Sequence, residues 1–444
     1  MIRAGLLAAA VLEAASGFAQ SGLAQTAALA VPSRLTASQR QQNIDSFEYV
    51  WRTVRDKHWQ ANPAGLDWQT VHDELRPAIE KASTMDAARA VLNDMLGRLH
   101  QTHFAIVPSD LYSDLSGSSA KGEITTGIDL RVVGAEALVT SVETESPAAR
   151  EGIRPGWRIV KIGAMDLAPV IEKLNETYAA STLRELVLRR SILARLDSAE
   201  ASTPVEFLDG GNQRVTKSLE HGTPRGALSQ FGFLYPMHVW FDSSRVGNGD
   251  IGYVKFNIFL DPQHVMARFA DSVESCKACR GFIIDLRGNP GGIGAMAMGM
   301  AGWFIDKPDQ RLGTLIMRDT ALKFIVNPRA YTFPGPLAIL VDGASASTSE
   351  ILAEGLKDLG RARIFGTRTA AAALPSVFEM LPNGDGFQYA IANYISEGGK
   401  PLEALGVTPD METPLTREAL LAGKDPALDA AIAWITNQKP ETRN

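Results

Sequence analysis

From Gly249 onward, short apolar runs alternate with stretches of helical period, and no other feature limits the possible folds of this chain so narrowly. Ile251 to Phe256, Gly281 to Arg287 and Leu337 to Val341 read as strands, the last two apolar enough to be buried. Between and after them, Pro262 to Ser275, Met296 to Phe304 and Ser349 to Leu359 carry helical periodicity. Alternation of this kind is the signature of an α/β core. The Gly-rich turn Gly288 to Gly294 lacks the lysine and hydroxyl of a phosphate-binding loop, so it gives no reason to expect a nucleotide.

The upstream half is patterned differently. Thr36 to about Leu99 places apolar residues at helical spacing, among them Phe47, Val50, Trp51 and Val54, then Val71, Leu75 and Ile79, then Leu92, Met95 and Leu96. Asn62-Pro63-Ala64-Gly65 interrupts the pattern with turn chemistry, while Asp67 and Thr84-Met85-Asp86 supply caps for the helices that follow. His58 and His72 fall on the polar faces of these helices. From Gly127 the pattern becomes short strands separated by Gly and Pro, through Leu138 to Val142 and Ile153 to Gly163, and resuming at Pro204 to Leu219 around a Gly210-Gly211-Asn212 turn. This segment resembles a PDZ domain. The resemblance implies that Thr125-Thr126-Gly127-Ile128 is a carboxylate-binding loop, with Thr126, Gly127 and Ile128 holding a peptide that adds to the sheet edge. A helical stretch from about Val170 to Leu196 departs from that pattern and would cover or reshape the groove.

At 444 residues and 45% apolar content the chain is long enough for two or three domains with their own cores. Its net charge of -6, with both signs interspersed, leaves no basic stripe for nucleic acid. Met1-Ile2-Arg3, the apolar run Ala4 to Leu12 and the small residues through Ala24 read as a secretory signal over residues 1–24, placing the mature protein in the periplasm or outside the cell without an integral membrane segment. Cys276 and Cys279, the only cysteines, can close a small structural disulfide in an oxidising compartment. No His/Cys cluster or H-E-x-x-H motif offers a metal-ligand set, and no cofactor is implied.

The segment Asp342-Gly343-Ala344-Ser345-Ala346-Ser347-Thr348-Ser349-Glu350 sets three serines on a strand-to-helix turn. A hydroxyl there projects beyond the sheet, beside unpaired N–H groups suited to an oxyanion, but any one of the serines can equally be an N-cap. Three motifs decide the matter by likeness: Asp285-Leu286-Arg287-Gly288-Asn289-Pro290-Gly291-Gly292, Ser345 to Ile351, and Gly406-Val407-Thr408-Pro409-Asp410 stand in the order found in the tail-specific, C-terminal-processing serine peptidases. The chain resembles that family over nearly its whole mature length. The resemblance implies a multidomain α/β protein with a ClpP/crotonase-like α/β peptidase core at 225–436, an N-terminal helical domain at 34–108 and the PDZ-like β-domain, with its helical insertion, at 122–222. It also implies Ser347 as nucleophile, an oxyanion hole from Thr348 and either Gly291 or Gly292, and bracing roles for Ser345 and Ser349.

Many members of the family use a lysine base, and the ungapped register from Ser347 puts Ala372 at that position. A methyl group accepts no proton. The branch typified by the tricorn core peptidase uses histidine instead, and its motif is similar to Leu99-His100-Gln101-Thr102-His103-Phe104, which would make His103 the base, Thr102 its helper and Glu403 the associated carboxylate. His100 is a competitor close by. The expectation is an exported serine endopeptidase acting on protein or peptide substrates through an acyl-enzyme. The rivals are a silent peptide-binding or scaffold protein that lost its lysine, and a small-ligand carrier.

Overall fold

In the computed structural model, which describes residues 8–10, 34–109, 125–179, 181–197 and 202–438, the apolar runs after Gly249 assemble into one sheet. Its strands lie in the order Phe241–Val246, Ile251–Phe256, Gly281–Asp285, Leu337–Val341, Ala362–Gly366 and Met411–Glu412. The first pair is antiparallel and the rest are parallel. A parallel sheet needs cover on both faces, which is why the central strands are apolar at successive positions. Phe282, Ile284, Leu337 and Ile339 pack on one side with the helices Pro262–Ser275, Gly294–Ala301 and Thr348–Asp358. Ile283, Ala338, Leu340 and Phe365 pack on the other with Ala427, Ala431 and Ile435 of the helix Pro426–Asn437. Cys276 and Cys279 are joined by a disulfide between the helix Pro262–Ser275 and the strand Gly281–Asp285.

The N-terminal region contains the helices Ala37–Lys57, Trp68–Lys81 and Met85–Gly97. Thr36 and Gln39 form a capping box, and the side chains of Asp67 and Thr84 accept from backbone N–H groups at the next two helix starts. The Trp51 and Trp68 indoles each donate to the other's backbone carbonyl. Contrary to expectation, His58 is not on a solvated face: it is fully buried at the end of its helix, its Nε2 2.8 Å from Gln101 Oε1. His72 is likewise largely buried and pairs with Glu48 and Asp73. The helical core is also not self-contained. It is continuous with Leu374, Phe387 and Tyr389 around the hairpin Ser376–Met380/Gly386–Ala390, to which Ala105–Val107 adds as a third antiparallel strand. Residues 98–104 are thereby carried from a helix directly to that hairpin.

The middle region is an antiparallel sheet ordered Ile128–Val133, Glu136–Val142, Arg158–Ile162, Ser202–Leu208 and Arg214–Glu220. The single helical stretch expected up to Leu196 is two helices, Leu167–Thr177 and Arg184–Leu196. Leu188, Ile192 and Leu196 of the second helix enter the same core as Ile128, Leu130 and Phe207. The proposed leader, residues 1–24, lies outside the described residues except for Ala8–Ala10. Those three residues pair antiparallel with Gly291–Ile293, Ala10 facing Gly291. Among the described residues no helix is long and apolar enough to cross a membrane.

Candidate active site

Ser347 terminates the turn after the strand Leu337–Val341 and is the N-cap of the helix Thr348–Asp358, with φ 55° and ψ -116°. A non-glycine residue held at positive φ is strained by about 1–3 kcal/mol, so its surroundings must fix it. They do so from several directions. The Ser347 N–H donates to Ala372 O at 2.8 Å and to Glu350 Oε2 at 2.9 Å. Glu350 also accepts from Thr369 Oγ1, Ala371 N and Ala372 N, so one buried carboxylate ties the serine turn to the segment after Gly366. Burial pushes that carboxyl up to about 7 against the pull of its donors. The sequence signal for this role is visible in retrospect as the S-x-x-E spacing of a capping box.

The flanking serines brace the turn. Ser345 Oγ donates to Leu286 O at 2.8 Å, and Ser349 Oγ donates to Asn289 O at 2.9 Å, joining the turn to the Gly-rich segment after Asp285. Gly291 has φ 98°, and a β-carbon there would lie 2.7 Å from Ser347 Cβ and 2.8 Å from Thr348 N, so only glycine permits this approach. Its N–H is taken up by Asn289 Oδ1 at 3.0 Å. Gly292, the other glycine considered for an oxyanion donor, is paired with Ala9 in the strand Gly291–Ile293. Thr348 Oγ1 donates to the Gly292 carbonyl at 2.8 Å, which holds that residue against the helix start.

Thr102, His103 and Glu403 meet at one point. Glu403 Oε1 accepts from Thr102 N at 3.0 Å, and its Oε2 accepts from Thr102 Oγ1 at 2.9 Å and from Ala373 N at 3.1 Å. Burial raises the Glu403 carboxyl above its ordinary range, and these donors work in the other direction. Because Ala373 adjoins Ala372, whose carbonyl receives the Ser347 N–H, this cluster and the serine turn grip the same short segment. His103 is fully buried at φ 63°, with Nδ1 2.7 Å from Thr102 Oγ1 and Nε2 without a hydrogen-bond partner. Desolvation pushes the imidazole down to about 3, so it is neutral at pH 7. The network also fixes its tautomer. The Thr102 hydroxyl has one proton and directs it to Glu403, so Nδ1 must carry the hydrogen and donate to Thr102, leaving Nε2 as a bare acceptor. His100 is exposed and takes no part. At the lysine position, Ala372 is packed with Leu183, Leu186, Val187, Ala344, Ala346 and Ala370.

The loop assigned to a peptide carboxylate is already occupied. Thr126 is fully buried, and both its N–H and its hydroxyl donate to Asp197 Oδ1, at 2.8 and 3.3 Å. The Gly127 N–H donates to Thr125 Oγ1 at 3.0 Å, and Ile128 is paired with Val142 in the sheet. An open site at Thr126, Gly127 and Ile128 is therefore not what the fold presents. No local pattern signals this, because Asp197 stands some seventy positions away and only the packing of the inserted helix brings it there. A cleft of about 740 Å³ lined by Phe231, Phe233, Leu234, Met317, Phe378 and Tyr389 contains none of the residues above. No group of side chains suited to a metal ion occurs among the described residues.

Residues 250–413 match Peptidase family S41, and residues 40–97 match the Tricorn protease C1 domain. The chain is 26% identical over 407 residues to the carboxyl-terminal-processing protease of Synechocystis sp. (strain ATCC 27184 / PCC 6803 / Kazusa), covering 87% of this chain and 85% of that protein. It is 25% identical over 400 residues to the chloroplastic C-terminal processing peptidase of Tetradesmus obliquus, covering 87% and 79% respectively. Tricorn protease homolog 1 of Streptomyces coelicolor is 25% identical over 415 residues, which are 89% of this chain but 35% of that protein. In fold, the chain is similar to the photosystem II D1 C-terminal processing protease, with a TM-score of 0.55 at 20% identity over 91% of this chain and 98% of that one. It is also similar to mature CPAF, with a TM-score of 0.61 at 14% identity over 91% and 99%. With the serine turn, its glycine partner and the order of the motifs all in place, residues 250–413 form a peptidase family S41 domain and the chain is a serine peptidase.

Proposed function

We propose that this peptidase is an exported endopeptidase that cleaves protein or peptide substrates through an acyl-enzyme on Ser347, with His103 as general base, as in the tricorn-like branch of the family. The observation that carries the assignment is the bare, buried Nε2 of His103, left as an acceptor by the Thr102–Glu403 relay. His103 takes the proton of Ser347 as its Oγ attacks the peptide carbonyl. The N–H groups of Gly292 and Thr348 receive the oxyanion. The imidazolium then protonates the leaving amine, and water, deprotonated by the same nitrogen, hydrolyses the ester. Antiparallel pairing of Ala8–Ala10 with Gly291–Ile293 supports binding of an extended substrate along that edge, since the paired Ala10 faces the glycine that abuts Ser347.

Export is supported by the positive start and apolar run before Leu12, and by the disulfide. The middle sheet, with its loop Thr125–Ile128 ahead of the strand Ile128–Val133, supports a PDZ-like domain whose ligand is a peptide C-terminus. The test is labelling by a serine-reactive phosphonate together with hydrolysis of an unfolded polypeptide. Ser347→Ala should lose both while retaining its circular dichroism spectrum, and His103→Ala should be nearly as damaging because base and nucleophile act as a unit. Undiminished turnover in Ser347→Ala would refute the assignment.

A further inference from the structure

The helix Arg184–Leu196 joins two places that a PDZ-like peptidase would keep separate. One face, Leu188, Ile192 and Leu196, lies in the core of the middle sheet, and the helix packs against the strand Ile128–Val133, where an added peptide strand would run. Another face, Leu183, Leu186 and Val187, covers Ala344 and Ala346 of the nucleophile turn. A buried ionic cluster reinforces this second contact. Arg131 Nε lies 2.7 Å from Asp342 Oδ2 and 3.9 Å from Glu185 Oε1, while Arg189 pairs with Asp129 at 2.8 Å.

At its C-terminal end the helix places Asp197, and this is the wrong charge for that position. Backbone carbonyls make a helix C-terminus a negative pole, which repels a carboxylate. Burial adds to the cost and pushes Asp197 up to about 6. What offsets both is the loop: Thr126 gives its N–H and its hydroxyl to one carboxylate oxygen. These are the donors that a peptide's terminal carboxylate would need.

We infer that the helix Arg184–Leu196 is an internal ligand of the PDZ-like domain, with the Asp197 carboxylate standing in the place of a peptide C-terminal carboxylate. A polypeptide ending in a free carboxylate binds by displacing Asp197. The inference rests on the PDZ-like reading given above, and it adds that this binding site is filled in the free enzyme. The occupant to be expected is an extended peptide with an apolar last residue, since the volume to be refilled is that of Leu188, Ile192 and Leu196.

The experiment uses the full chain carrying Ser347→Ala, so that no labelled peptide is consumed and the result is independent of which residue is the base. A fluorescein-labelled decapeptide ending in leucine is titrated by fluorescence anisotropy, and the same peptide with an amidated C-terminus serves as control. Adding Asp197→Ala frees the Thr126 donors and should tighten binding of the free-acid peptide by about tenfold or more, as expected from removing a competing charged acceptor. Asp197→Asn preserves shape and packing while removing the charge, and should tighten binding in the same direction by a smaller factor. The amidated peptide should gain from neither change. Equal affinities in all the chains, or equal gains for acid and amide, would overturn the inference while leaving the phosphonate test of Ser347 untouched.

Discussion

Replacing Thr102 by valine removes one hydroxyl and little else, which makes it a sharp test of how the base is set. In the native arrangement that hydroxyl accepts from His103 Nδ1 at 2.7 Å and donates to Glu403 Oε2 at 2.9 Å. Glu403 keeps the backbone N–H groups of Thr102 and Ala373, so the loop should stay in place. The imidazole, however, is left with a buried Nδ1–H and no acceptor, at a cost of about 1–3 kcal/mol. It escapes that cost by moving the proton to Nε2, the nitrogen that the proposed mechanism needs as the base. The productive tautomer is then disfavoured by the same amount, and kcat should fall by about 5- to 150-fold. KM should change little, because Thr102 is buried and no substrate contact is removed. Steady-state hydrolysis of a fluorogenic peptide gives both constants, and 15N-edited NMR of the histidine ring reports which nitrogen is protonated. Thr102→Ser restores an acceptor and should recover most of the rate. A Thr102→Val enzyme within twofold of the native kcat, or a native His103 protonated on Nε2, would show the tautomer argument to be wrong.

Gly291→Ala should lose at least about tenfold in kcat and about 1–3 kcal/mol in urea unfolding, since its methyl would meet Ser347 Cβ at 2.7 Å on a backbone with φ 98°; unchanged kinetics would mean that the turn has room to yield. For pH dependence, the folded value of His103, about 3, lies below the unfolded reference of about 6.5, so the unfolded chain takes up the proton first. The stability that comes from keeping this ring neutral is complete above about pH 6.5 and is lost as pH falls toward about 3, with about 2 kcal/mol lost at pH 5. Urea midpoints at pH 7 and pH 5 should therefore converge more in His103→Asn than in the native chain, and parallel shifts in the two would contradict it.

Local pattern was enough to recover the strands Ile251–Phe256 and Leu337–Val341 and the helix Pro262–Ser275 with their boundaries, because burial on both faces leaves a continuous apolar run. It also placed the caps at Asp67 and Thr84. Boundaries slipped where glycine and small residues blur the period, as in the helix Gly294–Ala301, expected to reach Phe304. The motif likeness singled out Ser347, Thr102, His103 and Glu403, but spacing along the chain could not reveal that Glu403 reaches both Thr102 and Ala373. Contacts between distant segments were the least legible. Nothing near Thr126 announces Asp197, and the burial of His58 depends on Gln101. Each depends on packing, which periodicity does not encode.

The shared core of the N-terminal helices and the hairpin Ser376–Met380/Gly386–Ala390 has a practical consequence for dissecting this protein. Excising everything before Ala105 would strip Leu374, Phe387 and Tyr389 of their cover and remove His103 in the same cut. A shortened chain holding the S41 match alone, 250–413, would be a sticky fragment without the proposed base rather than a minimal enzyme. The three N-terminal helices and the hairpin, far apart along the chain, therefore stand or fall together, and no single cut between them yields two stable pieces.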